Sequence, residues 1–113
     1  MQTVQLATAD RRYADQIREL LMSDGYDCVY VVDAPNPRID GVIAMDEGLV
    51  NDLALYDVDR CVIVARKGSR RIASLFEAGV RHLVFATDSP KTARLAILAA
   101  ELRLGHANRL QST

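Results

Sequence analysis

Short apolar segments alternate with helical patterns along this chain. Five segments are candidate β-strands, namely Val4–Ala7, Cys28–Val32, Gly41–Met45, Cys61–Ala65 and His82–Ala86. Apart from the first they are nearly continuous in apolar residues, which is typical of strands covered on both faces of a parallel sheet. Strands that alternate with helices predict such a sheet, wound by right-handed crossovers.

The stretches between the strands carry helix signals. The predicted helices run from Arg11 to Asp24, from Glu47 to Tyr56, from after Ser69 to Gly79, and from Pro90 to just before Gly105. Asp10 and Ser89 are suitable N-terminal caps, and Gly25 can end the first helix. The second helix has the least support, because Gly48 lies in its first turn. Residues 106–113 are polar without periodicity, and we expect a fraying tail or the start of a linker after a domain of residues 1–105.

The connection between the second and third strands is unusual. It consists of Asp33–Ile39 and contains two prolines, Pro35 and Pro37, which forbid a regular helix. Seven extended residues reach roughly 24 Å, enough to carry the chain back for a parallel pairing. An antiparallel pairing of these strands as a wide hairpin is the alternative. The predicted fold is a three-layer α/β/α sandwich, flavodoxin-like, with strand order 2-1-3-4-5 and a loop in place of one helix.

Composition narrows the function classes. The chain has 113 residues and a formal net charge of -1, which argues against electrostatic attraction to nucleic acids or anionic membranes. Its apolar runs fall far short of the ~20 residues of a membrane span. Cys28 and Cys61 lie within strand-like runs, as expected for thiols in a reducing cytoplasm. We therefore expect a cytoplasmic protein without a cofactor, a membrane contact or direct nucleic-acid binding.

The run Cys61–Arg66 is followed by a helix that ends in Phe76-Glu77-Ala78-Gly79, then by a strand, and then by Ser89-Pro90 opening the last helix. This order of elements resembles the receiver domain of response regulators. The run Ala9–Tyr13 is similar to the first loop and helix of that family. The resemblance covers nearly the whole chain and implies a role in two-component signal transduction.

The resemblance also implies a phosphorylation pocket, and this chain departs from it. An active receiver has an acid pair after strand one, an acceptor Asp after strand three, a Ser or Thr after strand four and a Lys after strand five. The corresponding positions hold Thr8 and Ala9, Met45, Val64 and Ala86, while Asp10 and Asp46 come one place late and the small residue Ala65 is retained. A pseudo-receiver that is not an enzyme and acts through protein–protein interaction is the first expectation. A phosphorylatable receiver of a phosphorelay that uses Asp46 is the alternative.

Three acidic residues near the ends of strands one and three have two interpretations. Asp10 is expected to cap a helix, and Asp46 and Glu47 are expected to favour the positive end of the next helix. The carboxyl ends of these strands are also where open α/β sheets bind ligands. No metal site is predicted, but Asp10, Asp46 and Glu47 are the candidates for one.

A basic cluster surrounds Gly68-Ser69. It comprises Arg66, Lys67, Arg70 and Arg71 and could bind an anion or dock a partner. A sensor of a small anionic ligand is therefore the second alternative function.

The last helix is apolar on two sides. Ala93, Ile97, Ala100 and Leu104 suit packing on the sheet, whereas Leu95, Leu98, Ala99 and Leu102 form a second stripe. Because a helix that is apolar on two sides is buried on two sides, this stripe predicts a homodimer or another protein partner at the last helix. The alternative is a wider stripe packed within the monomer.

Overall fold

The computed structural model describes residues 3–50 and 56–111, with side chains up to residue 105. Five strands are present, β1 (Thr3–Ala7), β2 (Cys28–Val31), β3 (Val42–Asp46), β4 (Cys61–Ala65) and β5 (His82–Phe85). The helices are α1 (Arg11–Ser23), α2 (Ile72–Glu77) and α3 (Pro90–Gln111), and short 3₁₀ helices span Glu47–Leu49 and Val58–Arg60. Within these residues no helix is both long and apolar enough to cross a membrane.

The sheet has the predicted topology. All pairings are parallel and the strand order is β2-β1-β3-β4-β5. β2 and β3 both pair with β1, on opposite sides of it, so the antiparallel hairpin considered from the sequence is wrong. The fold is therefore an α/β sandwich of the flavodoxin-like kind.

The sheet separates two apolar cores. On one face α1 and α3 cover alternate strand residues such as Leu6, Ala44 and Val64. On the other face, Met45 and Ile63 pack with Leu75 of α2 and with apolar residues of the connecting segments. Since both faces are covered, the strands are continuously apolar, as the sequence predicted.

The first helix begins and ends as its sequence predicts. Asp10 caps it, because its carboxylate accepts a hydrogen bond from the Tyr13 N–H at 3.1 Å. The chain leaves the helix through Gly25, which has a φ of 99°. Tyr13, Ile17 and Leu21 are buried on the sheet-facing side of the helix.

The loop that replaces the missing helix is held by two buried polar side chains. Gln5 of β1 donates to the Asn36 carbonyl oxygen at 3.0 Å and accepts from the Asn36 N–H at 2.7 Å. Arg60 donates to three carbonyl oxygens of this loop. That of Gly41 is 2.7 Å away and that of Pro37 is 3.1 Å away, and the third acceptor is the Ile39 carbonyl oxygen. These bonds satisfy backbone groups that a helix would have satisfied internally.

Three predicted helix boundaries need correction. Of the helix expected over 47–56, only the 3₁₀ turn Glu47–Leu49 forms before residues 51–55, which lie outside the described residues. α2 is only six residues long, Ile72–Glu77, and so begins later and ends earlier than predicted. α3 does not stop before Gly105 but continues to Gln111. Gly105 lacks a positive φ, and a glycine in a helix interior costs only about 1 kcal/mol.

Candidate functional site

A cavity of about 530 Å³ opens at the carboxyl ends of β1, β3, β4 and β5. Its lining combines residues from the loops after all four strands, namely Ala9, Asp10, Asp46, Glu47, Gly48, Leu49, Val64, Arg66 and Ala86. Seven of these are residues that the sequence singled out: Ala9, Asp10, Asp46, Glu47, Val64, Arg66 and Ala86. Crossover connections leave this edge of an open α/β sheet in diverging directions, which creates a crevice suited to binding.

Asp46 is half-buried at the end of β3 and contacts the loop after β1. Its Oδ2 accepts a hydrogen bond from the Ala9 N–H at 2.8 Å. In the ladder Asp46 pairs with Val64, whereas Met45 pairs with Ile63. The Asp46 side chain therefore lies on the same face of the sheet as Ala44 and Val64, and the Met45 side chain lies on the opposite face. The contact with Ala9 ties the loop after β3 to the loop after β1.

The remaining positions of the expected phosphorylation pocket carry no reactive group. Met45 is fully buried in the core on the α2 side of the sheet. Val64 and Ala86 line the cavity with methyl groups only, and Ala65 is fully buried. A thioether and aliphatic side chains can neither accept a phosphoryl group nor neutralise one.

Thr8 and Asp10 shape the loop after β1. The Thr8 side chain is buried, and its hydroxyl donates to the Asp10 carbonyl oxygen at 3.2 Å. The Asp10 carboxylate caps α1 through its Oδ1. Both polar side chains are therefore used to hold the backbone of this loop, as expected for residues at a helix entry.

Glu47 and Arg71 form a latch between the loop after β3 and the loop after β4. Glu47 accepts from the Arg66 N–H at 3.1 Å through Oε2 and from the Ser69 hydroxyl at 2.9 Å through Oε1. Arg71 donates to the carbonyl oxygens of Glu47 and Val50, at 2.7 and 2.5 Å. The sequence predicted an acid at a helix start and a member of a basic cluster here, and it missed that these two residues act together.

The three acidic candidates do not fit the Mg²⁺ ion that a receiver resemblance implies. Each carboxylate already accepts at least one backbone N–H: Tyr13 on Asp10, Ala9 on Asp46, and Arg66 on Glu47. Among the described residues no group of three or more His, Cys, Asp and Glu side chains is placed to hold a metal ion. Convergent carboxylate oxygens are what Mg²⁺ requires, and these carboxylates are each directed at a different backbone segment.

The basic cluster is divided by the structure. Arg71 faces the backbone of residues 47–50, while Arg66, Lys67 and Arg70 are exposed. Within the part of the chain that is described, the side chains of these three residues make no hydrogen bond or ion pair. Only Arg66 lines the cavity, and it does so together with three carboxylates.

The second stripe of α3 is largely uncovered in the monomer. Leu95 and Leu102 are 62% and 75% exposed, Ala99 is exposed, and Leu98 is half-buried. The opposite side of the helix is buried, since Ala93, Ile97 and Ala100 are at most 1% exposed. Packing within the chain therefore covers only one of the two apolar sides of α3.

Charged pairs fix α3 on both flanks of this stripe. Arg94 forms two hydrogen bonds with the carboxylate of Asp24, at 2.6 and 2.9 Å, on the side of α1. Arg103 lies 3.7 Å from Asp59 on the side of the second 3₁₀ helix. The leucines between these pairs are held at a defined place on the surface.

Burial shifts the pKa values of Cys61 and His82, which lie outside the cavity. Burial raises the pKa of the Cys61 thiol to about 11. Burial also lowers the pKa of His82, and the nearby Arg103 adds to this effect. Both side chains favour their neutral forms in the fold, as expected for structural residues.

Comparison with models of protein families and with curated proteins finds no match for this chain.

Proposed function

We propose that this protein is a receiver-like signalling module that acts by protein–protein contact and does not transfer phosphoryl groups. The observation that carries the proposal is the cavity at the carboxyl ends of the strands. It lies at the edge of the sheet where the resemblance implies a phosphorylation pocket, but its carboxylates accept hydrogen bonds from backbone N–H groups, and Val64 and Ala86 are aliphatic.

The electrostatics of the cavity argue against phosphoryl transfer. That reaction requires cations that neutralise the charge on the transferred group. Three carboxylates face the cavity against one guanidinium, that of Arg66, and Ala86 stands where a lysine is expected. Removal of one preorganised charge stabiliser typically costs about 3–4 kcal/mol of barrier, so several simultaneous losses abolish a useful rate.

The same charges disfavour the sensor of a small anion. Asp10, Asp46 and Glu47 would repel an anion in the cavity, and Arg71 is engaged by backbone carbonyls. Of the three exposed cations of the cluster, only Arg66 lines the cavity, and Lys67 and Arg70 lie outside it. They are better suited to docking an acidic protein surface than to enclosing a ligand.

The exposed stripe of α3 supports a protein partner, and a second copy of this chain is our first choice. Leu95 and Leu102 are spaced seven residues apart, so they lie on one side of the helix two turns from each other. Ala99 lies between them and allows close approach of another helix. A closed two-fold arrangement is the commonest association of a single protein species.

The phosphorylatable alternative depends on Asp46, and a direct measurement separates it from our proposal. The purified protein is incubated with Mg²⁺ and a small acyl phosphate, and its intact mass is recorded. We expect no phosphoryl adduct, while an active receiver domain treated in parallel becomes phosphorylated. An adduct that disappears in Asp46→Asn would show that Asp46 is an acceptor and would overturn the proposal.

A second variant tests whether the aliphatic residues Val64 and Ala86 prevent phosphorylation of Asp46. Val64→Thr combined with Ala86→Lys restores the hydroxyl and the cation that the family pattern requires. We expect this double variant to gain at most slow phosphorylation of Asp46, because Asp46 is oriented towards the Ala9 N–H. Phosphorylation of the unaltered chain at the same rate as the double variant would contradict the assigned roles.

A further inference from the structure

Ser69 lies at the centre of the latch between the loops after β3 and β4. Its hydroxyl donates to Glu47 Oε1 at 2.9 Å, and its oxygen accepts from the Arg71 N–H at 3.2 Å. It follows the turn at Gly68, which has a φ of 77°, and it is half-buried. One small side chain thus contacts both residues that hold the loop of residues 47–50.

The surroundings of Ser69 are strongly basic and exposed. Arg66 lies three residues before it, Lys67 two residues before it and Arg70 one residue after it. All three are exposed, and their side chains make no hydrogen bond or ion pair within residues 3–50 and 56–105. A serine in such a setting presents a pattern of charges by which protein kinases select their substrates.

We propose that Ser69 is a phosphorylation site for a serine kinase that recognises an arginine three residues before its target. In the reaction Ser69 Oγ forms a bond to the γ-phosphorus of a nucleoside triphosphate, and the bond from that phosphorus to the bridging oxygen breaks. The nucleoside diphosphate leaves, and the hydroxyl proton passes to the kinase's catalytic carboxylate. The modification does not depend on the cavity's own chemistry.

Modification would reverse the interactions at the latch. A phosphoserine carries about -1.5 to -2 charges at pH 7 and no longer donates a hydrogen bond. It would repel the Glu47 carboxylate, now its partner at 2.9 Å, and attract the three exposed cations. Phosphorylation therefore exchanges a Ser69–Glu47 contact for contacts with arginine and lysine, and it removes the Glu47 part of the latch, while Arg71 can still donate to the Glu47 and Val50 carbonyl oxygens.

The fold itself provides a matched control. Ser74 also has an arginine three residues before it, Arg71, and it is exposed, whereas Ser69 is half-buried. It lies within α2, where its carbonyl oxygen accepts from the Ala78 N–H at 3.0 Å. A kinase that binds its substrate in an extended form can use the loop at Ser69, but it would have to unwind a helix to reach Ser74.

The test uses the folded chain carrying Ser112→Ala, because Ser112 also follows an arginine by three residues. The protein is incubated with an arginine-directed serine kinase and Mg²⁺-ATP, and fragmentation mass spectrometry locates the phosphate. We expect one phosphoryl group on Ser69, lost in Ser69→Ala, retained in Ser74→Ala and reduced in Arg66→Gln. No incorporation while a peptide substrate in the same tube is modified, or incorporation at Ser74 instead, would overturn the proposal.

Hydrogen exchange then tests the switch. The Arg66 N–H is protected by Glu47 Oε2, a bond that Ser69 does not itself make. We expect phosphorylation to speed exchange at Arg66, whereas Ser69→Ala leaves that amide protected. Unchanged protection at Arg66 after complete phosphorylation would show that the latch is not released, and the switch would be wrong.

Discussion

The guanidinium Nε–H of Arg60 donates to the carbonyl oxygen of Gly41, 2.7 Å away. Arg60 ends a 3₁₀ helix just before β4 and Gly41 just precedes β3, so the bond ties together the starts of two adjacent strands. The arginine is only 8% exposed and has three carbonyl acceptors around it. It organises a loop that has no helix of its own.

Replacement of Arg60 by Met should therefore destabilise the protein. It leaves three carbonyl oxygens without their donor, and each hydrogen bond to a charged group is worth about 1.5–3 kcal/mol. We expect a loss of about 3 kcal/mol or more in the free energy of unfolding, measured by urea denaturation. The exposed Arg38 in the same loop is the control, and Arg38→Met should change stability by no more than about 0.5 kcal/mol. Equal effects of the two substitutions would contradict this role.

Gly41 is required for a second reason. Its φ is 113°, and a Cβ placed on it would lie 1.9 Å from the carbonyl oxygen of Thr3 in β1. Gly25 has a similar φ of 99°, but a Cβ there meets nothing within 4 Å. Gly25→Ala should cost only the backbone strain, about 1–2 kcal/mol. Gly41→Ala should cost at least about 2 kcal/mol more, because β1 must shift. Thermal unfolding of the two variants measures the difference, and equal losses would show that the clash is absorbed cheaply.

Asp10 is expected to act on its helix. Asp10→Ala should cost about 1 kcal/mol of unfolding free energy, whereas Asp10→Asn, which keeps an acceptor for the Tyr13 N–H, should cost much less. Mg²⁺ should not change the melting temperature of either variant or of the unaltered protein. A saturable increase with Mg²⁺ that only the unaltered protein shows would instead indicate that the carboxylate binds the ion.

Cys61 should make stability depend on alkaline pH. The folded-state pKa is raised from 9.0 to about 11, so the folded protein holds the thiol proton more tightly than the unfolded chain. The stabilising contribution is complete below about pH 9 and is lost as the pH rises towards 11. Denaturation at a series of pH values should show a smaller decline over this range for Cys61→Ala than for the unaltered protein. Parallel declines would mean that the thiol does not contribute.

The sequence predicted the sheet order well for a physical reason. Continuous apolar strands and caps such as Asp10 are local signals, and parallel crossovers restrict how the strands can be arranged. The polar network could not be predicted in the same way. No local pattern marks Gln5 or Arg60, since their partners are backbone atoms 31 and 19–23 residues away.

The candidate site, like the fold, could be predicted from the sequence only in part. Its location followed from strand order, because loops after parallel strands meet at one edge of the sheet. The use of each carboxylate depends on side-chain direction, which a pattern of residue types does not contain. Asp46 could be placed near the cavity from the sequence, but its contact with the Ala9 N–H could not.

The last prediction concerns the second apolar stripe of α3 and tests whether it belongs to the protein surface or to the core. Leu102 is 75% exposed, so Leu102→Asp should leave the fold intact and remove an apolar contact from the surface. Ile97 is fully buried on the other side of the same helix, and Ile97→Asp should unfold the protein, because it buries a charge without a partner. Circular dichroism reports on the fold of both variants.

Light scattering after size exclusion then measures association. If the stripe joins two copies, the unaltered protein is a dimer and Leu102→Asp is a folded monomer. Burial of each leucine contributes roughly 1.5–3 kcal/mol, so loss of the two symmetry-related side chains should weaken association by about 3–6 kcal/mol. Leu98 is half-buried, so Leu98→Asp should weaken both association and stability. An unaltered protein that stays monomeric at high concentration would show that α3 does not join two copies, whereas an unfolded Leu102→Asp would place the stripe in the core.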